Sequence, residues 1–219
     1  MKKPDSTDRN YGMPARLSFP HDEAIHHWLP MLLEAYHIVD RGIAKAISIE
    51  RKKGRPLACG KGCAHCCETH KTIPVYPLEL VGISWYAAEK ISGRGRELLR
   101  QRLRSHHGNG PCPFLQDGMC TIHAMRPMGC RQFIVFGMRC APGEDPYYTR
   151  RQDVLTPIQK YADEAFFRML PFYGVSKESD RRKVIGTGAI HKLARTLHSC
   201  SWITLADKMD EFDGTQPSL

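Results

Sequence analysis

Cys59-Gly60-Lys61-Gly62-Cys63-Ala64-His65-Cys66-Cys67 puts four thiols into nine residues, together with two glycines and a histidine. Cys59 and Cys63 are four residues apart and Cys63 and Cys66 three, so in a helical turn they share a face. In a loop freed by Gly60 and Gly62 they can instead wrap an ion, and either conformation converges the sulfurs. Soft thiolate donors suit zinc, copper(I) or iron–sulfur chemistry and disfavour magnesium or calcium. The stretch predicts a metal clamp in the middle of the chain.

Outward from it, toward the N-terminus, Ile25, Trp28, Leu29, Leu32, Tyr36, Val39, Ile43 and Ile47 recur every three or four residues and draw one apolar stripe on a helix reaching about Lys52. Pro30 either kinks that helix or marks a fresh first turn. Arg51-Lys52-Lys53-Gly54-Arg55-Pro56 stops it with basic residues and breakers. Residues 1–20 lack apolar periodicity and read as a flexible arm.

Toward the C-terminus, Thr72–Tyr76 reads as a short extended piece and Pro77 as the first residue of a helix burying Leu78, Val81, Trp85 and Ala88. Gly93 to Gly95 break that helix, and Arg96 to His106 resume one carrying Leu98, Leu99 and Leu103. Residues 108–146 are rich in glycine, proline and cysteine and, apart from Phe133–Phe136, show no periodicity. Helices return at Pro157–Leu170 and about Lys177–Trp202, the latter interrupted by Gly186 and Gly188. The fold class is mainly α, with an irregular, cysteine-clamped central region. The expected organisation is an arm over 1–20, one helical metal-binding domain over 21–206 with its cysteine core at 59–140, and a tail over 207–219.

Cys59, Cys63, Cys66 and Cys67 are followed by Cys112, Cys120, Cys130 and Cys140, so eight thiols make two sets of four. Neighbouring side chains diverge by about 100° in a helix and nearly 180° in a strand, so Cys66 and Cys67 are expected to serve two nearby centres. Each centre then draws thiols from both halves of the chain. The alternative is one centre, with the remaining cysteines held as structural or redox-active thiols. Substituting Cys63 or Cys130 by serine is expected to disrupt folding, because metal-binding energy in a loop-rich segment is folding energy. The spacing Cys59-x3-Cys63-x2-Cys66 also suits radical enzymes that use S-adenosylmethionine, but no alternating strand–helix series accompanies it.

No apolar run approaches the roughly 18 residues needed to span a bilayer, and the polar start Met1-Lys2-Lys3-Pro4 does not resemble a secretory signal. The expectation is a soluble, cytoplasmic protein, in which clustered cysteines bind metal or catalyse rather than form disulfides. The formal charge of +9 falls to about +5 if two four-thiolate centres each net −2. Arg51–Arg55 and the arginines between Arg94 and Arg104 either contact a phosphate backbone or line solvated helix faces.

The second half adds Cys112-Pro113-Phe114-Leu115, Cys120-Thr121-Ile122-His123 and Arg126-Pro127 followed by Cys130-Arg131. With Ile73-Pro74-Val75 and all eight cysteines, the region from Cys59 to Cys140 resembles the CxxCxxCC (YkgJ-like) cysteine-cluster family, a zinc- or iron-chelating domain. The resemblance implies a metal site. Some members are labelled flagellin lysine methylases and look like longer proteins pairing an iron–sulfur cluster with S-adenosylmethionine; this chain shows no recognisable methyl-donor pocket.

The sequence supports a metal-binding protein holding zinc or iron–sulfur centres through Cys59, Cys63, Cys66, Cys67, Cys112, Cys120, Cys130 and Cys140, its helical surface meeting a protein partner. An iron–sulfur-dependent redox or protein-modifying enzyme is the second reading, with a protein substrate and S-adenosylmethionine as a further cofactor. A nucleic-acid-binding module is the third. Arg126 and Arg131 stand beside the thiolates, either to offset their charge or to bind an anionic cofactor or substrate. His65 and His123 read as partners of the ligands or as surface residues rather than ligands, and Cys200 as a buried, unreactive thiol.

Overall fold

The computed structural model describes residues 14–215. Most of the expected N-terminal arm and the last four residues of the expected tail lie outside the described residues. In chain order the helices are α1 (Pro20–Ile25), α2 (Leu29–Lys52), α3 (His65–Thr69), α4 (Pro77–Glu89), α5 (Gly93–Ser105), α6 (Met128–Gln132), α7 (Pro146–Thr149), α8 (Gln159–Met169), α9 (Glu178–Gly186) and α10 (Ile203–Thr215). Two antiparallel pairs join β1 (Pro74–Val75) to β4 (Arg195–Thr196) and β2 (Leu115–Gln116) to β3 (Met119–Cys120). The fold is mainly α, as the periodicity predicts. No helix among the described residues is long and apolar enough to cross a membrane.

The described residues divide into two compact units, one formed by those up to Cys63 with Cys130–Lys192, the other by Ala64–Gly129 with those from Leu193 on. In the first unit α2 lays Leu29, Leu32, Leu33, Tyr36, Val39, Ile43 and Ile47 into the core and packs along α8. Pro30 sits in the first turn of α2, where its missing N–H costs nothing. The stripe therefore starts at Leu29 rather than Ile25, which ends α1 and is 58% exposed. Gly42 lets the helices close: a Cβ there would lie 2.7 Å from the Tyr161 Cβ.

Beyond α2, Gly54 turns the chain at φ +77°, and two isolated bridges, Leu57 to Phe136 and Val135 to Val154, tie three segments together. The apolar run from Phe133 to Phe136 is buried throughout. These bridges hold the irregular segment that carries Cys59.

In the second unit α10 packs on α4 and α5 and buries Leu205, Ala206 and Met209. The helix runs well past Asp207, where a tail was expected, because its acidic face meets arginines of α5. Arg96 pairs with Asp213 at 2.9 Å, Arg100 with Asp210 at 2.6 Å, and Arg104 also with Asp210. Buried Arg96 also donates to the Ala87 and Ala88 carbonyls at the end of α4 and to Met209 O on α10. Three of the five arginines between Arg94 and Arg104 are thus engaged inside the unit.

The expected helix over Lys177–Trp202 is broken instead. Only Glu178–Gly186 is α-helical; Gly188 takes φ +65°, and the chain continues as short 3-10 turns around β4. Two glycines in three residues remove the propensity that would carry the helix across.

Candidate metal centre

Cys66 and Cys67 lie in α3, which opens directly after the glycine turn. The Cys112 N–H donates to the Cys67 carbonyl at 2.7 Å, which holds the two cysteine segments side by side. Cys120 comes in on a tight hairpin. Leu115 pairs with Cys120 and Gln116 with Met119, across an Asp117-Gly118 turn whose φ values of 50° and 72° are those of the turn that Asp-Gly favours.

The thiols form a chain. Cys66 hydrogen-bonds Cys67, and this, followed by burial and the Cys67 charge, raises the Cys66 thiol well above its usual range; the Arg126 guanidinium acts the other way. Cys67 hydrogen-bonds Cys112, and this contact, followed by burial and the charges of Cys112 and Cys120, pushes its thiol up to about 12, against the hydrogen bond from Cys66. Adjacent Cys66 and Cys67 therefore face one group of sulfurs, not two.

The other unit holds Cys59, Cys63, Cys130 and Cys140. The Val135 N–H donates to Cys59 Sγ at 3.3 Å, and the Ala58 N–H donates to Val135 O at 2.8 Å. Backbone N–H groups aimed at sulfur stabilise a thiolate over a thiol. Arg150 Nη2 reaches Cys140 Sγ at 3.7 Å, while Nη1 meets Phe136 O at 3.4 Å. That guanidinium is fixed by Glu144 at 2.7 Å and Asp153 at 3.2 Å. The Arg150 hydrogen bond, with the Ala141 N–H and the Thr149 hydroxyl, holds the Glu144 carboxyl down at about 2. Cys130 rides on α6 beside Arg131.

Residues 58–154 match the model of a family described as a "putative zinc- or iron-chelating domain". The model is that of the CxxCxxCC family, and the match covers under half of the chain. No curated protein and no solved structure matches the chain.

The CxxCxxCC segment contains all eight clustered cysteines and leaves out Cys200. Among the described residues, which include all nine cysteines, none is disulfide-bonded. The donor set fits a thiophilic metal: four sulfurs in each unit, with a backbone N–H and an arginine aimed at two of them. Among the described residues no three cysteine sulfurs lie mutually within 4.8 Å. A tetrahedral four-thiolate zinc would have sulfur–sulfur edges of about 3.8 Å, so the thiols would have to move closer together to hold one. His65 adds a further donor: its Nδ1 lies 3.9 Å from Glu68, and its Nε2 is buried with no hydrogen-bond partner among the described residues.

The two arginines singled out from the sequence fall in different units and differ in character. Arg131 is 4% exposed, bonds Asp40 Oδ2 through Nη1 at 2.7 Å, and stacks its guanidinium 4.1 Å from the Tyr36 ring centre. Arg126 contacts the His123 ring and lowers the Cys66 thiol electrostatically. The sequence reading passed over Arg150, whose Glu144 and Asp153 partners carry no motif. It also passed over Asp117-Gly118, a legible hairpin signal between Leu115 and Cys120.

Proposed function

We propose that the protein is a metal-binding module with one thiolate centre in each compact unit, Cys59, Cys63, Cys130 and Cys140 holding one and Cys66, Cys67, Cys112 and Cys120 the other. The observation that carries this reading is the division of eight cysteines into four and four by the packing of the chain, two from each half of the CxxCxxCC segment in each case. Four thiolates are the donor set of a structural zinc ion or of an iron–sulfur cluster. Such a centre supplies folding energy where the chain lacks periodic apolar structure.

In this reading Arg126 and Arg150 offset thiolate charge from beside the sulfurs, and Arg131 braces the helix that carries Cys130 by pairing with Asp40. No S-adenosylmethionine is assigned. The test is anaerobic purification followed by metal analysis and an absorbance spectrum. Two equivalents of zinc and a colourless protein give the zinc form; iron, sulfide and visible absorbance give the cluster form. A folded chain that carries and takes up neither metal overturns the proposal.

A further inference from the structure

The four cysteines of the first unit are not equivalent. Cys59 receives the Val135 N–H at 3.3 Å, Cys140 lies 3.7 Å from Arg150, and Cys130 is built into α6. Cys63 is the exposed one among the eight cluster cysteines. It ends a run, Gly60 to Cys63, in which every residue is exposed. Its own N–H donates to the Gly60 carbonyl at 3.1 Å, within the turn. A Cβ added at Gly60 or Gly62 would meet nothing within 4 Å, and Gly62 stands at φ +79°. The turn therefore stands clear of its surroundings.

We infer that Cys63 is the replaceable ligand of the first unit's centre, with Cys59, Cys130 and Cys140 as its fixed ligands, so that an external thiol, ionising as it binds, can take the place of Cys63. The inference rests on the two-centre reading above. Three held donors and one that can leave are what separates an exchanging metal site from a closed structural one. Lys61, exposed two residues away, places a cation where an anionic thiol ligand would approach. The exchange is a substitution without redox change: Cys63 leaves as a thiol, taking the proton that the incoming thiol gives up. The second unit, whose thiols are linked Cys66 to Cys67 to Cys112, has no such outlying ligand.

The full chain is loaded with zinc(II), excess metal is removed, and each cysteine is followed by mass spectrometry during reaction with iodoacetamide. Zinc transfer to a chromogenic chelator is timed in parallel, with and without glutathione, for the wild type, Cys63→Ser and Cys130→Ser. Cys63 is expected to react at least about ten times faster than the other seven cluster cysteines while both zinc ions stay bound. Glutathione should speed transfer of one equivalent several-fold. Against the sequence expectation that Cys63→Ser disrupts folding, the exposure of Cys63 means that this variant should keep two equivalents but release one about ten times faster, whereas Cys130→Ser should hold only one. Equal protection of Cys63 in a two-zinc wild type overturns the inference and leaves the two-centre reading standing. A wild type that binds no zinc and no iron removes both. Should Cys63→Ser fail to fold, the alkylation pattern of the wild type still decides.

Discussion

Arg131 Nη1 donates to Asp40 Oδ2 at 2.7 Å, joining the helix that carries Cys130 to the middle of α2. The guanidinium is almost fully buried against Tyr36, so its carboxylate partner offsets a charge withdrawn from water. Asp40→Ala should destabilise the protein by about 2–4 kcal/mol, read as a lower urea midpoint at unchanged slope. A loss under about 0.5 kcal/mol would show that the pair is not needed to hold a buried charge.

Gly42 faces Tyr161 where α2 crosses α8, and the 2.7 Å approach of a new Cβ to backbone-anchored Tyr161 Cβ leaves no flexible atom to yield. Helix propensity alone would favour alanine by about 1 kcal/mol. Overpacking costs about 1–3 kcal/mol and should win, so Gly42→Ala is expected to lower the thermal midpoint by several degrees. A raised midpoint would mean the helices separate freely.

His198 is 4% exposed. Burial first, then the charges of Lys71, His106 and His70, lower its pKa to about 4, while the Lys71 backbone acts weakly the other way. An unfolded histidine titrates near about 6.5. Between those values the unfolded chain binds the proton and the folded chain does not, so stability should be complete above about pH 6.5 and fall as the pH drops toward 4. The contribution is at most about 3 kcal/mol. Urea midpoints measured across pH 4–7 for wild type and His198→Phe should show the wild-type slope flattened in the variant; identical slopes would assign the pH dependence elsewhere.

Raised thiols at Cys66 and Cys67 mean that the metal-free second unit holds protons at neutral pH. A metal bound there as proposed would expel them, so affinity should climb steeply with pH through the neutral range. Calorimetry of zinc binding in buffers of different ionisation enthalpy should report at least about two protons released per ion at pH 7. Release of fewer than one would show that the thiols are already ionised in the apo protein.

Much of the helical frame is legible in the chain. The stripe from Leu29 to Ile47, Pro77 as a helix start and the breaker string after Lys52 are local signals, and each survives packing because burial and propensity agree there. Lys177–Trp202 departs further from a helix than its spacing predicts, because the apolar residues remain helically spaced while Gly186 and Gly188 withdraw the backbone preference. The extent of α10 escaped because Asp210 and Asp213 stabilise the helix only through arginines more than a hundred residues away.

The sequence by itself picks out the eight clustered thiols as candidate ligands and determines that the chain around them is helical, because ligand chemistry and helical periodicity are both written in residue type and spacing. Tertiary structure alone brings Cys66 against Cys67 and Cys67 against Cys112, since the Cys112 N–H to the Cys67 carbonyl holds the two segments side by side. It also decided which cations matter. Arg150 reaches Cys140 because Glu144 and Asp153 hold it there, whereas Arg131 turns away to Asp40 and Tyr36. Charge proximity is set by packing, and no spacing rule contains it.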